Sequence, residues 1–399
     1  MSETTKAKQK LTRNSNVEIL RLVAMLLIVL NHFPWPKIAI WGTILPYTQR
    51  FPLVLLTSFL SNFGGLGDCL FFGISTWFLC MEQPDFRKSI RRVWQLEKQL
   101  LFYSFLFLFC SFAASAAGMI TLSKKLILVN IVKAFFPVLL THWWYPASYI
   151  LFLLLFPWIN AFLIKMGKQL HKSLSLILLL FWGFIPFGAD QISHGMSYSI
   201  VLFIYQYILL SYIVWYKKDF LKSKKNARNL LLAGFIIGVT TQFICEMLLC
   251  FANKNVLFTK GWLNCPSCIP SMFMGLGMLM LATQKTEIYN KVINRLASCT
   301  LAIYLLITDK NMNTIIAKVL SILFTGQSGY IIVLTCVIMA LLIFIVSILL
   351  DLIRQGIFAI TVNRRPYRWL YALENKGKQS KRLSSLFSTI KFPTSDSLL

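Results

Sequence analysis

Long apolar runs, separated by short polar segments, dominate the pattern along the chain. A helix needs about 20 mostly apolar residues to cross the roughly 30 Å hydrocarbon core of a bilayer. About ten runs meet that requirement, and the period-2 alternation of a transmembrane barrel is absent. The pattern predicts an all-α, polytopic integral membrane protein with helices at 17–34, 53–81, 99–120, 143–164, 173–190, 198–216, 229–251, 266–283, 297–318 and 329–350.

A further apolar stretch at 126–142 is shorter and holds Lys133 and Pro137. It is interpreted as an interfacial or re-entrant piece rather than another crossing, because a proline and a charge both disfavour a spanning helix. The predicted organisation is a basic N-terminal tail at 1–16, a transmembrane domain at 17–350 and a basic C-terminal tail at 351–399.

Composition supports this class and explains the charge. Of the 399 residues, 57% are hydrophobic and 14% are charged, whereas a soluble domain is about 45–50% apolar and about 25% charged. This excludes a soluble globular enzyme, a disordered chain and an ordinary nucleic-acid-binding domain. The net charge is +26. Thirty of the 40 lysines and arginines lie in segments that are predicted to be on the same side of the membrane as the N-terminus. The positive-inside rule therefore predicts that both termini are cytoplasmic.

Ionisable residues inside a membrane helix are costly and are candidates for function. Arg21 and His32 are eleven residues apart in the first predicted helix, so they share one face and are separated by about 16 Å along the axis. Glu18 is one turn before Arg21 and can pair with it. One interpretation is a polar seam with a cation at one end and a base at the other. The alternatives are an interfacial Arg21 tied to Glu18 and an interfacial His32.

Other motifs allow two interpretations each. The run from Arg87 to Arg92 is either a positive-inside cluster or a site for a phosphate-bearing donor. The segment from His142 to Tyr145 is either an aromatic belt or a platform on which a sugar stacks. Asp68, in a glycine-rich segment, is either a hydrogen-bonded packing residue or functional. Cys265 and Cys268 are either a disulfide or two thiols; a zinc site would need two further ligands, so no metal is expected.

Four motifs, in chain order over residues 14 to about 308, carry a family resemblance. They are Asn16-Val-Glu-Ile-Leu-Arg-Leu-Val-Ala24 with His32 at the far end of the helix, Phe71-Phe-Gly-Ile-Ser75, the stretch from Trp143 to Asn160, and Thr300-Leu-Ala-Ile-Tyr-Leu305. Together they resemble the acyltransferase 3 family of integral-membrane O-acyltransferases. The chain departs from the family pattern at Glu18, where aspartate is usual, at Thr76 in place of glycine, and at Thr308 in place of a histidine.

The resemblance implies transfer of an acyl group, commonly acetyl, from cytoplasmic acyl-CoA to a sugar hydroxyl of a cell-surface polysaccharide or its lipid-linked precursor. It implies a multi-pass protein of a bacterial cytoplasmic membrane, with membrane lipid and glycan as partners and no nucleic acid. The residues expected in these roles are His32, Arg21 and Glu18 for catalysis, Arg87, Lys88, Arg91 and Arg92 for the donor, and Trp143, Trp144, Tyr149 and Ser75 for the acceptor.

Two other classes of function stay open on the sequence alone. A transporter or flippase for a lipid-linked glycan would also have many membrane helices and a polar seam. A membrane scaffold without chemistry would have the same hydrophobic pattern. Neither alternative accounts for the four ordered motifs, and a scaffold would not require Arg21 or His32.

Overall fold

The computed structural model of the chain describes residues 13–35, 47–140, 143–184, 198–251, 262–324 and 327–364, and within these ranges it is helical without strands. The helices are α1 (Ser15–His32), α2 (Tyr47–Ser61), α3 (Gly64–Cys80), α4 (Phe86–Ala116), α5 (Lys124–Phe135), α6 (Pro137–Leu140), α7 (Trp144–Phe184), α8 (Ile200–Tyr216), α9 (Lys218–Lys222), α10 (Lys224–Phe251), α11 (Ile269–Thr283), α12 (Lys291–Ala297), α13 (Thr300–Thr308), α14 (Lys310–Leu323) and α15 (Gly329–Ile360).

The all-α, polytopic membrane class is confirmed. Within the described ranges, seven helical segments are long and apolar enough to cross a membrane, and the shorter apolar helices α8 and α11 coincide with two more of the predicted crossings. The 41-residue α7 turns at Gly167, whose φ of 75° lies in the left-handed region that glycine tolerates. That turn separates the predicted crossings at 143–164 and 173–190. The two sides of the membrane remain assigned by the charge distribution alone.

Two predicted crossings are interrupted. The crossing at 53–81 consists of α2 and α3, and the crossing at 297–318 consists of α13 and α14, which meet at Asp309. The Asp309 carboxylate accepts hydrogen bonds from the backbone N–H groups of Asn311 and Met312, both at 3.0 Å. An aspartate in this position begins a new helix, which is why the apolar run is not one continuous helix.

The basic run from Arg87 to Arg92, which lies between two predicted crossings, is helical. The Asp85 side chain accepts a hydrogen bond at 2.8 Å from the backbone N–H of Arg87, and α4 begins directly after this cap. The stretch at 126–142 contains α5, with 12 residues, and α6, with 4, before the described residues are interrupted at 141. Neither helix is long enough to cross a bilayer.

The first turn of α1 forms hydrogen bonds with α12 and with the segment just before α12. The Asn14 side chain accepts a hydrogen bond from the backbone N–H of Asn16 and caps the helix. The Ser15 hydroxyl donates to the Asn294 side-chain oxygen at 2.9 Å, and the Asn16 amide donates to the Thr286 carbonyl at 2.9 Å. The polar residues at the start of the first motif therefore fix the position of α1.

Helices α1 and α3 approach each other closely at glycines. A Cβ atom at Gly67 would lie 2.7 Å from the carbonyl oxygen of Ala24 and 2.8 Å from a side-chain carbon of Ile28. By contrast, a Cβ atom at Gly73 on the same helix would meet nothing within 4 Å. Small residues at such contacts are a common basis of helix association in membranes.

We expect Gly67→Ala to destabilise the protein by about 1–3 kcal/mol, because the added methyl overpacks a backbone contact. The matched control is Gly73→Ala, which gains helix propensity without a clash and leaves the melting temperature unchanged or higher. Thermal unfolding of the detergent-purified variants measures both. Equal melting temperatures for the two variants would contradict the proposed contact.

Candidate active site

A large polar cavity surrounds Arg21 on α1. It has two adjoining lobes of about 760 and 860 Å³. We call it the Arg21 cavity. The residues that line both lobes come from α1, the residues before it, α3, α4 and α7, and they are Arg13, Arg21, Ser75, Gln95, Leu96, Gln99 and Tyr149.

The 760 Å³ lobe is strongly cationic. Its wall includes Arg13, Arg21, Lys98 and Arg354, and no carboxylate is among its lining residues in the described part of the chain. The 860 Å³ lobe carries Arg92 together with the carboxylates of Glu18, Glu82 and Glu287. A ligand with several negative charges would therefore be attracted to the first lobe.

Arg21 is held by Glu18, as the spacing predicts. One Arg21 guanidinium nitrogen lies 2.8 Å from a Glu18 carboxylate oxygen, and the two side chains are 18% and 5% exposed. A guanidinium has five N–H donors in a planar fork. The bond to Glu18 fixes the orientation of this fork while other donors remain available to a ligand in the cavity.

Arg354 is a lining residue that the sequence interpretation assigned to the cytoplasmic tail. α15 continues to Ile360, and Arg354 makes two hydrogen bonds to Asp351, at 2.7 and 3.1 Å. The Tyr103 hydroxyl donates to the same carboxylate at 2.7 Å. The spacing of Asp351 and Arg354, three residues apart in a continuing helix, is the signal that could have found this pair.

Only one of the four predicted donor residues lines the Arg21 cavity. Arg92 lines the 860 Å³ lobe and pairs with Glu82. Lys88 also pairs with Glu82, at 3.3 Å. Arg87, Lys88 and Arg91 are not among the residues that line either lobe. The cations that line the first lobe instead lie farther along α4, at Lys98, and on other helices.

His32 lies at the opposite end of α1. Its Nδ1 atom is 3.1 Å from the carbonyl oxygen of Ile28. Since a carbonyl oxygen can only accept, this contact assigns the proton to Nδ1 and leaves the Nε2 lone pair available as a base. The backbone carbonyl of His32 accepts a hydrogen bond from the Asn313 side chain at 3.2 Å.

The face between Arg21 and His32 is not an open seam, because Met25 and Ile28 are each 1% exposed. Three tyrosine rings connect the two ends instead, with centroid separations of 6.3 Å from Tyr149 to Tyr145, 5.8 Å from Tyr145 to Tyr304 and 6.4 Å from Tyr304 to His32. We call these residues the tyrosine chain. It begins in the wall of the Arg21 cavity and ends at the histidine.

Two buried polar atoms beside the tyrosine chain have no hydrogen-bond partner among the described residues: the Tyr304 hydroxyl and one carboxylate oxygen of Asp68. Asp68 is 3% exposed. Unpaired buried polar groups are costly, and in a membrane protein they mark functional positions by default. Tyr304 belongs to the fourth motif, but the sequence did not assign it a role.

The four predicted acceptor residues do not form one site. Ser75 and Tyr149 line the Arg21 cavity. Trp144 stacks on Phe203, with ring centroids 6.1 Å apart and 19° between the planes. Trp143 lies in the wall of a separate, smaller pocket. The structure therefore brings Arg21, Glu18, Ser75 and Tyr149 together and places the two tryptophans elsewhere.

The structure is a multi-pass helical fold with a cationic cavity near one end of α1 and His32 at the other end. A family model described as an acyltransferase domain matches residues 14–352, which is most of the chain. The chain belongs to the acyltransferase 3 family and is a membrane acyltransferase. Comparison with curated proteins and with solved structures gives no match.

Cys265 and Cys268, at the start of α11, are not joined by a disulfide.

Proposed function

We propose that this protein transfers an acetyl group from cytoplasmic acetyl-CoA to a sugar hydroxyl of a cell-surface polysaccharide or its lipid-linked precursor, in a bacterial cytoplasmic membrane. The observation that carries the proposal is the placement of a cation-lined cavity and a basic imidazole at the two ends of α1. The family supports acyl transfer, and the resemblance of the four motifs supports the donor and the acceptor.

The donor enters from the side where the cations are. In this proposal Arg13, Lys98 and Arg354 bind the phosphates of the coenzyme in the 760 Å³ lobe, and Arg21 holds the part of the donor that reaches deepest. Ser75 and Tyr149 then contact the donor rather than the sugar, since both line this cavity. The thioester arm extends from Tyr149 along the tyrosine chain toward His32, and the buried rings of Tyr145 and Tyr304 must turn aside to admit it.

His32 performs the proton transfer at the other end. Its Nε2 atom removes the proton from the acceptor hydroxyl while that oxygen attacks the thioester carbonyl carbon. The tetrahedral intermediate collapses, the carbon–sulfur bond breaks, and the coenzyme thiolate takes the proton from the imidazolium. The products are the acyl ester and free coenzyme thiol. The bond from Nδ1 to the Ile28 carbonyl keeps the imidazole in the required orientation and tautomer.

Tyr304 is placed to stabilise the negative charge that develops on the carbonyl oxygen. Its hydroxyl is buried without a partner in the described residues, and its ring lies edge-on to that of His32. A buried donor that gains its hydrogen bond only when an oxyanion forms contributes most to the transition state.

We expect His32→Ala to abolish acyl transfer while the protein still binds acetyl-CoA, because the donor cavity lies at the other end of α1. The measurement is transfer of radiolabel from acetyl-CoA to isolated glycan by purified protein, together with the mass of the surface glycan in cells. Full transfer by the variant would exclude His32 as the base. Wild-type protein that moves a lipid-linked glycan across vesicles but transfers no label would favour the flippase.

We expect Lys98→Gln to weaken acetyl-CoA binding about ten-fold or more, because it removes a charged contact to a phosphate. Arg87→Gln is the matched control, since Arg87 is on the same helix but is not a lining residue. Calorimetry on purified protein gives both dissociation constants. A larger loss of acetyl-CoA affinity in Arg87→Gln than in Lys98→Gln would contradict this assignment and indicate a donor site at the basic run at the start of α4.

We expect Tyr304→Phe to lower kcat by about 10²-fold or more with little change in the KM for acetyl-CoA, because only the transition state would use the hydroxyl. The melting temperature should not fall, since the substitution removes an unpaired buried donor. Steady-state kinetics and thermal unfolding of the same preparation test this. An unchanged kcat would remove Tyr304 from the mechanism.

A further inference from the structure

A second polar pocket lies between α4, α5 and the beginning of α14. Its volume is about 210 Å³. We call it the Asp309 pocket. The side chains that matter for its chemistry are Ser111, Asn130, Lys133, Trp143, Asp309 and Asn311, all of which line it. None of them lines the Arg21 cavity.

α5 supplies one wall of this pocket. Asn130 and Lys133 are three residues apart and so lie on the same side of the helix. Leu128 and Phe135 are 64% and 58% exposed, as expected for residues that face lipid. The Asn130 side-chain nitrogen is buried and has no hydrogen-bond partner within the described ranges. A buried amide donor that faces a polar pocket is available to a ligand.

The opposite wall connects the pocket to His32. α14 begins after Asp309, and its first two turns contact both sites. The Asn311 amide donates to the Ser111 hydroxyl at 3.0 Å in the wall of the pocket. The Asn313 amide, two residues later, donates to the backbone carbonyl of His32 at 3.2 Å. The start of α14, at the break in the ninth predicted crossing, thus contacts the wall of the pocket through Asn311 and the backbone of His32 through Asn313.

The composition of the wall fits a sugar better than a lipid tail. Amides, a hydroxyl and a carboxylate provide both donors and acceptors, which a sugar with several hydroxyl groups can pair. Trp143 adds an aromatic surface. An apolar chain would leave the buried Asn130 amide nitrogen without a partner. The volume is below the 300–1,000 Å³ of sites for drug-sized ligands, so it suits a single sugar unit.

We propose that the Asp309 pocket binds the sugar unit whose hydroxyl accepts the acyl group, with Asn130 and Lys133 as its principal contacts. This inference rests on the proposed function and names the acceptor site for it. The donor then reaches His32 from the Arg21 cavity along the tyrosine chain. The acceptor reaches it from the Asp309 pocket, past the start of α14.

The test compares Asn130→Leu and Lys133→Gln with the control Lys125→Gln, which changes an exposed lysine on the same helix. Two quantities are measured: the acyl content of the surface glycan by mass in cells with equal membrane levels of protein, and the dissociation constant for acetyl-CoA on purified protein. Each pocket variant should lower acylation about ten-fold and leave acetyl-CoA binding unchanged, since only the acceptor loses a contact. The control should change neither.

Unchanged acylation in both pocket variants would overturn the proposal. An equal loss of acylation and of acetyl-CoA binding would also overturn it, because the pocket would then support the fold or the donor. A second readout does not require transfer: the thiol introduced by Leu126→Cys, at a half-exposed lining residue that is not a proposed contact, is labelled with a membrane-impermeant maleimide and followed by peptide mass, with and without methyl glycosides.

This labelling separates the two proposals. Protection by a glycoside in a protein that transfers no acyl group would support the pocket and refute the proposed function. Acylation that proceeds while no glycoside of a hexose or N-acetylhexosamine panel protects the thiol would refute the pocket and leave the function standing.

Discussion

At Gly67 the backbone of α3 lies so close to α1 that an added methyl would stand 2.7 Å from the carbonyl oxygen of Ala24. In a membrane, where lipid is as apolar as the helices, such close contact is a major source of helix association. It fixes the helix that carries Arg21 and His32 against the helix that carries Asp68 and Ser75. Because Arg21 and Ser75 both line the Arg21 cavity, the wall of that cavity depends on this contact.

The charges of the site follow from a second constraint. A guanidinium in a poorly solvated cavity requires a partner, and each deeply placed arginine has one within a turn of its own helix: Glu18 for Arg21 and Asp351 for Arg354. These local pairs orient the two cations without filling the cavity. The first lobe remains positive because Lys98 and Arg13 add charge and none of the described carboxylates lines it.

The architecture keeps the cation-lined cavity apart from His32. In the proposed reaction this separates the binding of a charged donor, which requires cations, from proton transfer by an imidazole, whose neutral form is favoured by a drier environment. The tyrosine chain fills the space between Tyr149 and His32, so the two ends communicate through buried aromatic rings rather than through an open polar seam. At the His32 end of the tyrosine chain, the Tyr304 hydroxyl is left without a hydrogen-bond partner among the described residues.

The sequence by itself determined the membrane class, the course of the helices, the pairing of Glu18 with Arg21 and the family, because these depend on hydrophobic length, on helical spacing and on ordered motifs. Only the tertiary structure decided which cations share a cavity. Lys98 and Arg354 are distant in the chain, and Arg87 is near a motif but does not line the site. Such grouping depends on packing between helices, whose close approaches a one-dimensional pattern does not encode.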